Sequence, residues 1–116
     1  MRNSILAAVA VTSAIAALPA SAGAHAAVVS RTPAPDSTLA SAKTVRITFS
    51  EAVVTGRLTL TRGGARVAVG RLTNHRRSLS ITRSRSLASG SYKVTWSARS
   101  DDGHRESGTW KFSVQR

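Results

Sequence analysis

From residue 25 onward, apolar side chains return with a period of two, which belongs to half-buried strands rather than helices. Ala27-Val28-Val29-Ser30 reads as a first strand leading into Thr32-Pro33-Ala34-Pro35-Asp36, whose prolines forbid regular ladder pairing. In Lys43–Phe49 the alternation is clean, with Val45, Ile47 and Phe49 on one face and Thr44, Arg46 and Thr48 on the other. Arg57–Thr61 repeats it. Arg62-Gly63-Gly64-Ala65 then turns the chain into a strand over Arg66–Val69, because the centre of a tight hairpin requires positive φ. Ser78–Thr82 is another short alternating run. Leu87-Ala88-Ser89-Gly90 turns into Ser91–Ala98, and Gly108–Val114 closes the domain with Trp110, Phe112 and Val114 inward. No stretch after residue 25 supports a helix. About seven short strands at near-regular spacing predict an all-β fold, an immunoglobulin-like Greek-key β-sandwich or barrel. The last two strands carry both tryptophans, which predicts central places for them.

The first residues break this period. Met1-Arg2-Asn3-Ser4 supplies a short positive start, and Ile5 to Leu18 is apolar apart from Thr12 and Ser13. Pro19-Ala20-Ser21-Ala22-Gly23-Ala24 follows as a small-residue cleavage region, completing the three parts of a secretory signal peptide. The apolar run falls short of the ~20 residues a spanning helix needs. Residues 1–24 are therefore assigned to a signal peptide and 25–116 to one exported, extracytoplasmic domain. Ala20-Ser21-Ala22 and Ala24-His25-Ala26 also satisfy the small-x-small rule, so the cut site has alternatives.

Composition narrows the chemistry. The chain has no cysteine, and its one methionine is Met1, so thiolate and thioether metal sites are excluded from the domain. Any metal must be held by nitrogen and oxygen. The formal net charge is +12, from 17 Lys and Arg against 5 Asp and Glu. The basic residues are spread along the chain rather than gathered in one block. That distribution favours a soluble, Arg-rich exterior, with weak attraction to an anionic envelope as the second reading. No nucleic-acid partner is expected.

Asp102 and His104 are two apart, so in extended backbone both address one site, and Gly103 between them permits a bend that brings them closer. Taken alone, Asp101-Asp102-Gly103 is an ordinary polar turn and His104 an exposed residue. His25 changes the weighing. Cleavage after Ala24 would make it the first residue, able to chelate through its α-amino nitrogen and Nδ1. Two imidazoles, an amine and a carboxylate supply three nitrogens and an oxygen, which suits a tetragonal copper(II) site. Zinc could also bind, but takes a tetrahedral site without needing the amine. Glu51 has two readings, a hydrogen-bond acceptor for one of the ligands or an exposed surface glutamate. His75, in Asn74-His75-Arg76-Arg77, reads as a solvated loop residue.

These residues together resemble the CopC-like copper resistance proteins. The resemblance runs through His25, Ser30-x-Thr32-Pro33, Val45-x-Ile47-x-Phe49-Ser50-Glu51 and Gly90-x-Tyr92-x-Val94-x-Trp96. It continues through Ser100-x-Asp102-Gly103-His104 and Gly108-x-x-x-Phe112-x-Val114. It implies a Greek-key sandwich that binds copper(II) through His25, Asp102 and His104, with a periplasmic location and a membrane copper importer as partner. The methionine-rich copper(I) loop of that family is missing, so a single copper(II) site is expected, in a monomer that is not an enzyme.

Two other functions compete. Lytic polysaccharide monooxygenases also hold copper with an N-terminal and a second histidine, but residues 25–116 leave little room for substrate loops, and a carboxylate ligand would compete with oxygen. A metal-free basic module binding an anionic envelope polymer is the other, and predicts salt-sensitive binding indifferent to copper.

Overall fold

The computed structural model describes residues 26–116, and the proposed signal peptide and His25 lie outside the described residues. Nine strands follow in chain order: β1 (Val28–Thr32), β2 (Thr38–Leu39), β3 (Thr44–Phe49), β4 (Val53–Arg62), β5 (Ala65–Arg66), β6 (Thr73–Asn74), β7 (Ser78–Thr82), β8 (Gly90–Ser100) and β9 (Arg105–Val114). No helix occurs among the described residues. One sheet runs β1-β3-β7-β6 and the other β2-β9-β8-β4-β5. This is the two-sheet sandwich that the alternation predicts.

The period-two residues fill the space between the sheets. Val45, Ile47 and Phe49 of β3 are buried, as are Tyr92, Val94 and Trp96 of β8 and Trp110, Phe112 and Val114 of β9. Each such large side chain, fully buried, contributes about 1.5–3 kcal/mol of transfer free energy. Phe49 meets Trp96 edge-on across the sheets at 5.4 Å, and Tyr92 stacks on Phe112 at 5.3 Å. Trp110 and Tyr92 carry their hydrogen-bonding groups inward with a partner supplied. Trp110 Nε1–H donates to the Pro33 carbonyl at 2.8 Å, and the Tyr92 hydroxyl donates to the Ala88 carbonyl four residues upstream at 2.5 Å. β8 and β9 each have neighbours on both sides, so both tryptophans do lie on interior strands.

Three details depart from the sequence reading. The strand expected at Arg66–Val69 is only Ala65–Arg66; Gly63 and Gly64 make the turn at φ 59° and 84°, Val67 N–H makes a last bond to the Leu60 carbonyl at 2.8 Å, and Val67 and Val69 pack against the core. The two-residue strands β2 and β6 carry no alternation of their own. β2 exists because Thr38 and Leu39 run parallel to Ser113 and Val114 at the end of β9. Finally, β8 and β9 reach Ser100 and Arg105, further than their apolar positions indicate, and this long hairpin projects the turn between them.

Candidate metal centre

The β8–β9 turn, residues 101–104, is held at both ends by Ser100. Its amide donates to the His104 carbonyl at 3.0 Å, and its own carbonyl accepts from Gly103 N–H at 3.0 Å. Gly103 sits at φ 92°, a conformation that costs an L-residue roughly 1–2 kcal/mol. The turn thus replaces the extended backbone that the Asp-x-His spacing suggested. It still brings the two side chains together, and by the bend that Gly103 allows.

Asp102 is the acceptor for everything around it. Its Oδ1 receives the hydroxyl of Ser100 and, at 3.0 Å, the amide of His104; its Oδ2 lies 3.0 Å from His104 Nδ1. The Ser100 hydroxyl is the largest influence on the carboxyl, followed by the His104 amide and the His104 ring, and together they hold it well below the usual carboxylate range. It is therefore ionised wherever the imidazole titrates. A neutral His104 bonded this way carries its proton on Nδ1, and its metal-donor atom is then Nε2. The two side chains are accessible, 31% exposed for Asp102 and 54% for His104.

Other chain segments converge on this end of the sandwich. Val53, where β4 begins, is paired with Ser100. On its other side, Val53 N–H donates to the Arg76 carbonyl at 2.7 Å, and its carbonyl accepts from Asn74 Nδ2 at 3.0 Å. Just before Val53, the Ser50 hydroxyl accepts from Ala27 N–H at 3.0 Å while Ser50 N–H donates to the Ala27 carbonyl at 2.8 Å. Ala26 is buried in the core. The chain that leaves the site of proposed cleavage is thus pinned to Ser50, beside the strand that carries the turn.

Asp102 and His104 are brought together. His25 lies outside the described residues, and no set of three histidine or acidic side chains placed to hold a metal occurs among the described ones. Glu51 is exposed in the bend after Ser50, and His75 is exposed in the β6–β7 loop at the same end. Sequence reading included Ser100 in the Ser100-x-Asp102-Gly103-His104 motif but gave it no role; it is buried, 4% exposed, with its hydroxyl bonded to Asp102. The available signal was a serine two positions before an aspartate in a turn, the spacing of local side-chain-to-side-chain and side-chain-to-backbone capping.

A CopC domain family model matches residues 28–115. Among solved structures, the chain is similar to PcoC, a methionine-rich copper resistance protein from Escherichia coli, with 28% identity and a TM-score of 0.70 over 78% of this chain and 99% of that one. It is also similar to CopC from Methylosinus trichosporium OB3b, with 27% identity and a TM-score of 0.67 over 78% of this chain and 94% of that one. No curated protein sequence matches the chain. Unlike a methionine-rich relative, this sequence has a single methionine, at position 1. With the family match spanning all nine strands, the chain belongs to the CopC family.

Proposed function

We propose that the chain is an exported copper(II)-binding protein that sequesters or delivers the ion, held by the His25 amine and imidazole, the Asp102 carboxylate and the His104 imidazole. Membership of the CopC family carries a copper-binding, non-catalytic role. The observation that supports this ligand set is the Asp102–His104 pair, fixed by Ser100 at the end of the sandwich where Ala26 and Ala27 are pinned. An ionised carboxylate and an imidazole with its proton on Nδ1 are both ready to bind a divalent cation without further deprotonation. The absence of cysteine and of any methionine beyond Met1 favours copper(II) over copper(I). On this reading Glu51, next to Ser50 in sequence, would accept a hydrogen bond from the amine or an imidazole, and a membrane importer is the partner that the family suggests.

The test compares protein beginning at His25 with protein carrying one extra residue before it, after mass spectrometry has fixed the exported N-terminus. Copper(II) titration followed by electron paramagnetic resonance should give one-to-one binding with a nitrogen-rich tetragonal spectrum. The extra residue and His104→Ala should each weaken it by at least tenfold. Binding unchanged by the extra residue would remove His25 from the site.

A further inference from the structure

The outer face of the β4-β8-β9 region carries a charge arrangement that the metal site does not use. Arg57, Lys93, Arg99, Arg105 and Lys111 alternate with the buried residues of their strands and so project from that face. Lys93 lies directly opposite Lys111, and Arg99 directly opposite Arg105. Between these pairs stand Thr95 opposite Thr109 and Ser97 opposite Ser107, with Arg57 beside Ser97. The rows hold no carboxylate; Asp36 stands at the Lys111 end, its amide bonded to the Lys111 carbonyl. None of the five cations makes an ion pair with another described residue. Like charges directly opposed across strands are destabilising, and here it happens twice on one face. Each pair borders a shallow depression: one of about 250 Å³ is lined by Arg57, Arg99 and Arg105, and a larger one of about 670 Å³ by Lys93, Lys111 and one carboxylate, Asp36. The two pairs lie six positions apart along the strands, a span of about 20 Å.

We propose that this face binds a linear anionic polysaccharide, laid along β8 and β9 with acidic groups at the two cation pairs and sugar hydroxyls over the Ser and Thr rows between them. The two arginines and Arg57 supply planar forks for a sulfate or carboxylate, and the lysines a second point of charge. A bound polyanion relieves the repulsion that the free face carries. The arrangement disfavours other anionic partners. All of Phe49, Tyr92, Trp96, Trp110 and Phe112 are buried, so the face offers no ring on which a base could stack. It also offers no apolar side chain to insert into a membrane, since the exposed Val29 and Val54 lie outside these rows.

The experiment titrates the exported protein with heparin oligosaccharides, in the presence of a chelator so that the outcome is independent of the proposed copper site. A variant carrying Lys93→Ser, Arg99→Ser, Arg105→Ser and Lys111→Ser is compared with one of equal charge, Arg46→Ser, Arg71→Ser, Arg77→Ser and Arg85→Ser, whose changes lie off this face, Arg46 on the other sheet. At about 0.15 M salt, the face variant should bind roughly tenfold or more weaker, with a flatter salt dependence, and the control less than about threefold weaker. On the unaltered protein, amide shifts on binding should concentrate in Lys93–Arg99 and Arg105–Lys111, which requires no variant to fold. Equal losses from both variants, or shifts centred on β1, β3 and β7, would overturn the proposal. So would single-stranded DNA or anionic vesicles binding the same face more tightly than heparin.

Discussion

Asp102 receives three hydrogen bonds in a turn of four residues, and one of them comes from a buried serine. The folded carboxyl therefore has a lower pKa than in the unfolded chain, which fixes the sign of its linkage to folding. Its stabilisation is fully present above the ordinary carboxylate range, and is lost as pH falls through the depressed folded value. On the proposed ligand set, loss of copper(II) on mild acidification should therefore not come from protonation of Asp102. Ser100→Ala tests the arrangement: nuclear magnetic resonance should show the Asp102 titration moving up toward an ordinary aspartate. Denaturant unfolding should show a loss of about 1 kcal/mol for the hydrogen bond removed. An unmoved Asp102 titration would assign the shift to the His104 contacts alone.

The long β8–β9 hairpin is the element that places the site, and its core half was plain in the sequence. Val94, Trp96, Trp110 and Phe112 announce themselves by alternation because a sheet with one buried face imposes period two on the residues that cover it. Its outer end was not announced. Beyond Ala98, where the predicted strand stops, β8 continues through Arg99 and Ser100, and that continuation depends on pairing with Thr55 and Val53 rather than on apolar pattern. The same reason hid β2 and β6, whose hydrogen bonds are set by partners distant in sequence. Asp102 and His104 were legible from spacing, and Ser100 was not singled out, since its role exists only once the turn forms. β9 also fastens the β1–β2 connection through the Trp110–Pro33 bond. Trp110→Phe should leave that carbonyl buried without its donor and lower stability by about 1–3 kcal/mol, measured by thermal or urea unfolding.

The whole molecule carries a net charge of +12 in the full sequence, so its field opposes the approach of a divalent cation. Arg99 and Arg105 flank the turn itself. Copper(II) affinity should accordingly rise modestly as ionic strength increases from about 0.01 to 0.15 M, since the Debye length shortens from about 30 to 8 Å. Titration in a non-coordinating salt checks this, and a fall in affinity would mean that the local carboxylate outweighs the distant cations. A last consequence follows from how the two sheets end. Three of the four outer strands, β2, β5 and β6, are two residues long. The fourth, β1, is interrupted by a register shift between Val28 and Ser30. None of these four thus presents a long uninterrupted ladder of its own on which a second copy could add a strand, the usual route from a sandwich to a fibril. Light scattering should detect single molecules even in concentrated solution, and growth of the scattering with concentration would point instead to the long strands β9 and β4, along which β2 and β5 each pair with only two residues.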